Sequence, residues 1–319
     1  EPEYEPNRPV AVMMNNLKKA PPQLGVSLAD IIYEVPAEGG ITRMLGVYQT
    51  LEGVGNLGSI RSARPYYIEL ALGHDALYVH AGGSPEAYQD LKTWKVNNID
   101  GVNGSASQSA VFWRDPDRKK NKGYEHSLLA SGETIQNFWD GSKYPQTHSE
   151  SYVYPQTFTD EPLTGGTAAE HVKLLYTGYK TGLFDYDAGT GKYLVSQYQA
   201  PYVDGNTGEQ VGVTNLLILE TSISTISGDT AAGGILQQCI HNGFGLHYFG
   251  EELTGPEYAG RFLARVLQDE NIEIICDAMV LSFTEDRHIV AVSSKYGLIE
   301  VEAGAVVLAM GCRERTRGA

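Results

Sequence analysis

The chain has 319 residues, 42% of them hydrophobic and 10% aromatic, enough for two packed domains or one large one. A formal charge of −15 argues against a nucleic-acid or anionic-membrane surface, because phosphate binding rests on clustered Lys and Arg. There is no apolar run of about 18 residues, and the polar start "EPEYEPNRP" lacks the features of a signal peptide.

Taken in order, "RPVAVMMNN" reads as a strand ending in a turn at Asn15 and Asn16, and "SLADIIYEV" as a helix with Ser27 as N-cap. "GITRMLGVYQT" predicts a strand, "ARPYYIELALG" a helix closed by Gly73, and "DALYVHAGG" a strand. "SPEAYQDLK" predicts a helix with Ser84 as N-cap and Pro85 at its first position. Later, "EHVKLLYTG", "FDYDAGTGKYLVSQY" and "VTNLLILETS" read as strands, with a hairpin turn at Asp187 to Lys192. The expected fold class is therefore α/β (mixed α+β), interleaved early and strand-rich later. A G-x-G-x-x-G at Gly53, Gly55 and Gly58 would bind a dinucleotide only if a helix opened there, and Pro65 follows too soon after it.

Beyond "TNLLILETSISTISGD" the composition changes. Cys239, Cys276 and Cys312 all lie later, whereas 17 of the 20 tyrosines precede Gly228. A cysteine-free first part suits an extracytoplasmic location and the later thiols a reducing cytosol. "LTGPEYAGRFLARVLQDE" predicts a helix with Thr254 and Glu257 in capping-box spacing. "IEIICDAMVLSF", "HIVAVSS" and "GLIEVEAGAVVLAMG" follow as strands, the last expected to be the most buried. Two units are expected, 1–228 and 229–319.

"RPVAVMMNN", "ADIIYEVPAEGGITR", "GSIRSARPYYIELALGHDALYVHAGGSPEAY" and "FWRD", in that order, resemble the DUF3048 family from about Asn7 to Asp229. The resemblance implies an extracytoplasmic lipoprotein of a Gram-positive-type bacterium, with any lipid tether preceding Glu1 and no established activity. "GGILQQCIHNGFGLHYFGEELTGPEYAGRF" and "VVLAMGCRERTRGA" resemble an internal piece of FAD-dependent pyridine-nucleotide oxidoreductases. That likeness implies FAD only if other elements complete the unit, since the expected pyrophosphate loop is missing upstream of Gly233. Glu220 could offer a ribose acid or simply end a strand. No cofactor and no metal is expected on the chain as it stands.

Chemistry in the first part has to come from arginine. Arg43, Arg61, Arg64, Arg114 and Arg118 fall in "GGITR", "GSIRSARP" and "FWRDPDR". Planar guanidinium forks suit carboxylate or phosphate, and loops at one edge of an α/β sheet would gather them there. The expected partner is a cell-envelope component or small anionic ligand, held by Arg43, Arg61, Arg64 and Arg114 with Asn15, Asn16, His80 and Ser84 nearby. The alternative is structural pairing with Glu34, Glu38, Glu69 and Asp115. A hydrolase using Ser84 or Ser62 with His80 or His126 is also conceivable, although no G-x-S-x-G or S-x-x-K occurs. Cys239 with His241 could suggest a thiolate and base, but a buried structural cysteine is commoner.

Overall fold

The computed structural model describes residues 7–37, 40–150, 152–153, 166–177, 180–219, 223–226, 231–240, 242–284 and 286–307. The fold is mixed α/β and divides into two compact units, Glu1–Leu216 and Leu217–Ala319. The junction expected near Gly228 lies outside the described residues, as do Glu220, His241 and Cys312.

The first unit opens with β1 (Val10–Asn15), a 3-10 turn at Val26–Leu28, β2 (Ile31–Pro36), β3 (Thr42–Tyr48) and β4 (Asn56–Gly58). Next come α1 (Pro65–Gly73), β5 (Leu77–His80), α2 (Pro85–Thr93), β6 (Asn98–Asp100) and α3 (Ala106–Ser109). They are followed by β7 (Trp113–Arg114), α4 (Pro116–Asn121), β8 (Leu128–Ser131) and α5 (Gly132–Asp140). A second set of strands comprises β9 (His171–Thr177), β10 (Lys180–Asp187), β11 (Lys192–Gln197), β12 (Ala200–Pro201) and β13 (Gly212–Val213). The central sheet has the order β2-β3-β1-β5-β6, with β1, β5 and β6 parallel and β3 antiparallel to both of its neighbours.

All six residues of β1 are buried, because both faces of this sheet are covered. Ala11 and Met13 face a cluster closed by Tyr67, Ile68 and Ala71 of α1 and Ala87 and Leu91 of α2. Val10, Val12 and Met14 face the other cluster, shared with Leu57, Ala130, Ile135 and, from the second sheet, Phe184 and Val195. The two sheets therefore share one core.

Two sequence expectations are corrected here. The helix expected from Ser27 is strand β2, because Ile31, Tyr33 and Val35 pack toward one core and Ile32 toward the other, a period of two. The Ser27 hydroxyl donates to Asp204 Oδ2 at 2.7 Å and caps nothing. Of the strand expected over "VTNLLILETS", Val213 alone lies in one among the described residues; residues 214–219 form no strand, Leu217 and Leu219 are about four-fifths exposed, and residues 220–222 lie outside the described residues. At Gly53 to Gly58 the chain runs into β4, antiparallel to β8, and opens no helix, in keeping with the early Pro65.

The second unit contains β14 (Ile223–Ile226), β15 (Asn242–Phe244), α6 (Leu246–Phe249), β16 (Leu253–Thr254) and α7 (Gly255–Val266). It continues with β17 (Ile272–Ile275), β18 (Ala278–Phe283), β19 (His288–Ser293) and β20 (Gly297–Glu302). α7 forms where the capping box predicts it, with the Thr254 hydroxyl accepting from Glu257 N. Tyr258 and Phe262 on α7 pack on Phe249 at ring-centroid distances of 5.6 and 5.5 Å. The last strand is the third correction: β20 is mostly exposed, as the edge of a three-stranded antiparallel sheet, and residues 308–311 lie outside the described residues.

Candidate functional site

The parallel strands β1, β5 and β6 end at Asn15, His80 and Asp100, and Arg43 at the start of β3 sits opposite Asn15. Across this carboxyl edge runs the segment Ile60–Arg64. Arg61 N donates to Met13 O at 3.1 Å, Ala81 N to Arg61 O at 2.9 Å and Ala63 N to Gly82 O at 2.8 Å. The segment thus bridges the ends of β1 and β5. Ser84 N donates to Ala63 O at 3.4 Å, which sets the N-termini of α1 and α2 side by side at the same edge. Ligands of α/β sheets commonly bind at such a crevice, where helix N-termini favour negative charge.

Five of the sequence candidates meet here. Arg43 is buried in β3 and its Nη1 donates to Ser62 O at 2.9 Å, so it holds the bridging segment. Arg61 is half-buried and pairs with Glu125, Nη1 to Oε2 at 3.3 Å. Arg64, also half-buried, is the N-cap residue of α1, and its Nη1 donates to Ala63 O at 2.8 Å. The Ser84 hydroxyl accepts from Ala87 N at 3.2 Å and caps α2. In the first turn of α2, the Glu86 carboxyl is held below its usual range by its own backbone N–H, the Ser84 hydroxyl and the Arg64 charge.

His80 is fully buried. Its Nδ1 lies 2.8 Å from Gly82 O and its Nε2 3.2 Å from Asn98 Oδ1, and the ring stacks on Tyr78 at 5.1 Å. Among the described residues neither Ser62 nor Ser84 hydrogen-bonds His80, so the nucleophile–base contact that hydrolysis needs is not formed. Gly82, at φ +77°, directs its N–H to Asp100 Oδ1 at 2.9 Å. Burial pushes the Asp100 carboxyl up, but His80, the N–H groups of Gly82 and Val102 and the Tyr88 hydroxyl outweigh it and hold the group below its usual value. A depressed carboxyl stabilises the fold above its unfolded pKa and loses that contribution as pH falls through the folded value. In acid titrations of unfolding free energy, Asp100→Asn is expected to be less stable than the natural chain at neutral pH and to show a shallower loss below about pH 4. An unchanged acid limb would count against this role.

Asn15 and Asn16 diverge. The Asn15 amide donates to His126 Nδ1 at 2.8 Å and to Ser59 Oγ at 3.3 Å, all buried. His126 therefore accepts at Nδ1 and carries its proton on Nε2, 3.3 Å from Glu125 Oε1. Burial pushes its pKa down, and Arg61, Arg118 and Lys19 push the same way against Glu125. Asn16 instead donates to Glu34 Oε1 at 2.8 Å and Thr42 Oγ1 at 2.9 Å. Arg114 lies in the β4-β8-β7 sheet, where it donates to Tyr124 O at 2.6 Å and stacks 3.5 Å over the Tyr124 ring.

Sequence reasoning missed the cluster around Lys180. Its ammonium, 1% exposed, lies 3.1 Å from Glu34 Oε1 and 4.7 Å from the Tyr198 ring, and also donates to Gln197. The available signal was phase: Lys180 alternates with Gly182 and Phe184 on the buried face of β10. Of the acids expected to pair with arginines, Glu34 is engaged by this lysine, Asp115 caps α4 and Glu38 lies outside the described residues.

Two family profiles match the chain, "Protein of unknown function (DUF3048) N-terminal domain" over residues 1–145 and the corresponding C-terminal domain over 172–250. The chain belongs to the DUF3048 family. A Bacillus subtilis (strain 168) member named "Putative lipoprotein YerB" is 33% identical over 225 residues, 70% of this chain. The chain spans 65% of the length of that relative. The crystal structure of YerB from Bacillus subtilis matches with a TM-score of 0.55 at 30% identity, over 69% of this chain and 71% of that one. The DUF3048 match continues to residue 250, past the point where the flavoprotein likeness was expected to begin. These matches support neither that likeness nor a cytosolic second unit. Among the described residues no helix is long and apolar enough to cross a membrane.

Proposed function

We propose that this chain is an extracytoplasmic lipoprotein whose first unit binds an anionic cell-envelope ligand, a glycan carboxylate or a phosphate, at the carboxyl edge between β1 and β5. The observation that carries the reading is the meeting of two helix N-termini with the half-buried Arg61 and Arg64 at the ends of parallel strands. Glu86, whose carboxyl is held down by its own N–H group, the Ser84 hydroxyl and, least, the Arg64 charge, supports this reading. Arg43 is a positioning residue, since its guanidinium holds the carbonyl of Ser62 between the two contact arginines. The location follows the name of the Bacillus subtilis relative.

The test is the double substitution Arg61→Ala, Arg64→Ala, with calorimetric titration of orthophosphate and of a soluble muropeptide. The expected result is a melting temperature within a few degrees of the natural chain and a loss of affinity of about tenfold or more, since charge-assisted hydrogen bonds contribute roughly 1.5–3 kcal/mol each. Retained binding with unchanged stability would remove both arginines from the site. A fall of many degrees would assign them to structure.

A further inference from the structure

We propose that a cationic track leading away from Arg61 binds a linear polyanion of repeating phosphates. The inference extends the anion site at Arg61 and so rests on that reading for its starting point. Each step is a contact. Arg61 Nη1 reaches Glu125 O at 3.4 Å, and the adjoining Tyr124 carries Arg114 at 3.5 Å and Lys119 at 5.6 Å from its ring centre. Lys119 and Lys120 lie exposed on α4, and Lys122, just beyond it, donates to Pro21 O and, at 3.4 Å, to Lys19 O. That contact brings the Lys18–Lys19 loop against the end of the helix.

The acids in this stretch do not cancel the charge. The Asp115 carboxylate accepts from Arg118 N at 2.7 Å as the helix cap, Glu125 is shared between Arg61 and His126, and Asp117, exposed in the first turn of α4, is outnumbered by Lys119, Lys120 and Lys122. Inside the patch, burial is the main cause that lowers His126, the Glu125 charge raises it, and Arg61, Arg118 and Lys19 lower it, while Lys122 is pushed down by burial and by Arg118. On a chain of net charge −15, such a patch gives an extended polyanion a local place to lie while the rest of the surface repels it.

The side chains decide between a polymer and a bilayer. Exposed lysines are flexible point charges suited to a row of phosphates, whereas membrane-surface binding adds apolar side chains that insert. Along the track the exposed aromatics are Tyr124, with Arg114 stacked 3.5 Å from its ring centre and Lys119 5.6 Å away, and Trp113 next to Arg114, two rings without an aliphatic cluster beside them.

The test uses the full chain and the triple variant Lys19→Gln, Lys119→Gln, Lys120→Gln, titrated with long-chain inorganic polyphosphate and with orthophosphate over a series of salt concentrations. For polyphosphate the expected result is a loss of affinity of about tenfold or more at low salt. The slope of log K against log salt should become shallower by about 2–3. Orthophosphate binding should be unchanged. Polyphosphate binding that survives the triple substitution overturns the inference while leaving the Arg61 and Arg64 site intact. If the natural chain binds polyphosphate through these lysines but binds no orthophosphate, the crevice reading fails and the track stands alone. Lysine-dependent binding to vesicles of equal parts phosphatidylglycerol and phosphatidylcholine, without polyphosphate binding, overturns the inference in favour of a membrane surface.

Discussion

Glu34→Ala is expected to lower the unfolding free energy by about 3–5 kcal/mol, because it strands the Lys180 ammonium in the core without its carboxylate. The side chains of both members are nearly inaccessible, and Glu34 also accepts from Asn16 and Thr42, so one truncation opens several contacts. Burial already pushes the Lys180 pKa down against the pull of Glu34, and removing the carboxylate takes away that pull while Gln197 and the Tyr198 ring remain as neutral neighbours. The pair joins β2 of the central sheet to β10 of the second sheet across a shared core, so the loss should appear as one cooperative transition of the first unit. Urea denaturation reads this as a lower midpoint at unchanged slope. Replacing both partners, Glu34→Leu with Lys180→Met, is expected to restore most of the stability, since apolar substitutes for a buried pair are often neutral or better. A single substitution that costs less than about 1 kcal/mol would mean that water reaches the pair as it does at a surface ion pair.

The pair also marks where the sequence stops being legible. Strand and helix periods locate β1, β3, β5, α1, α2, the β10–β11 hairpin and α7, because each has an apolar period, a cap or a turn residue within a few positions. β2 is misread because Ser27 stands where an N-cap would. What decides its conformation is two cores on opposite faces of the strand, a long-range fact that a local window does not hold. The edge expected to gather arginines is legible for the same reason as the strands, since a strand that ends before a helix must place its next loop at the carboxyl edge. Asn16 is a candidate beside Asn15, yet Lys180, which shares its partner Glu34, lies 164 positions later in the chain. Nothing in "TGYKTGLF" says which carboxylate the lysine will meet.

Arg118 separates the structural arginines from those offered to a ligand. It shares a motif with Arg114, but its guanidinium is buried and feeds main-chain oxygens: Nε to His126 O at 3.0 Å, Nη1 to Pro22 O and Nη2 to Ala20 O, both at 2.8 Å. Nη2 also reaches Gln23 Oε1 at 3.2 Å, whose amide nitrogen in turn donates to Asn15 O. Burial pushes the Arg118 pKa down, opposed by Asp115 and Tyr202, yet the group stays far above the range in which it could lose its proton. Arg118→Ala leaves three carbonyls without their donor, at roughly 1–3 kcal/mol for each one that stays dry, and is expected to destabilise by about 3 kcal/mol or more. Arg118→Lys should recover little of this, because one ammonium cannot reproduce a fork whose three nitrogens address separate carbonyls. Chemical denaturation of both variants beside Arg61→Ala provides the comparison. The half-buried Arg61, whose partner Glu125 is 59% exposed, should cost about 1 kcal/mol or less. If Arg118→Lys is as stable as the natural chain, the carbonyls are satisfied by water, and Arg118 joins the arginines proposed to meet a ligand.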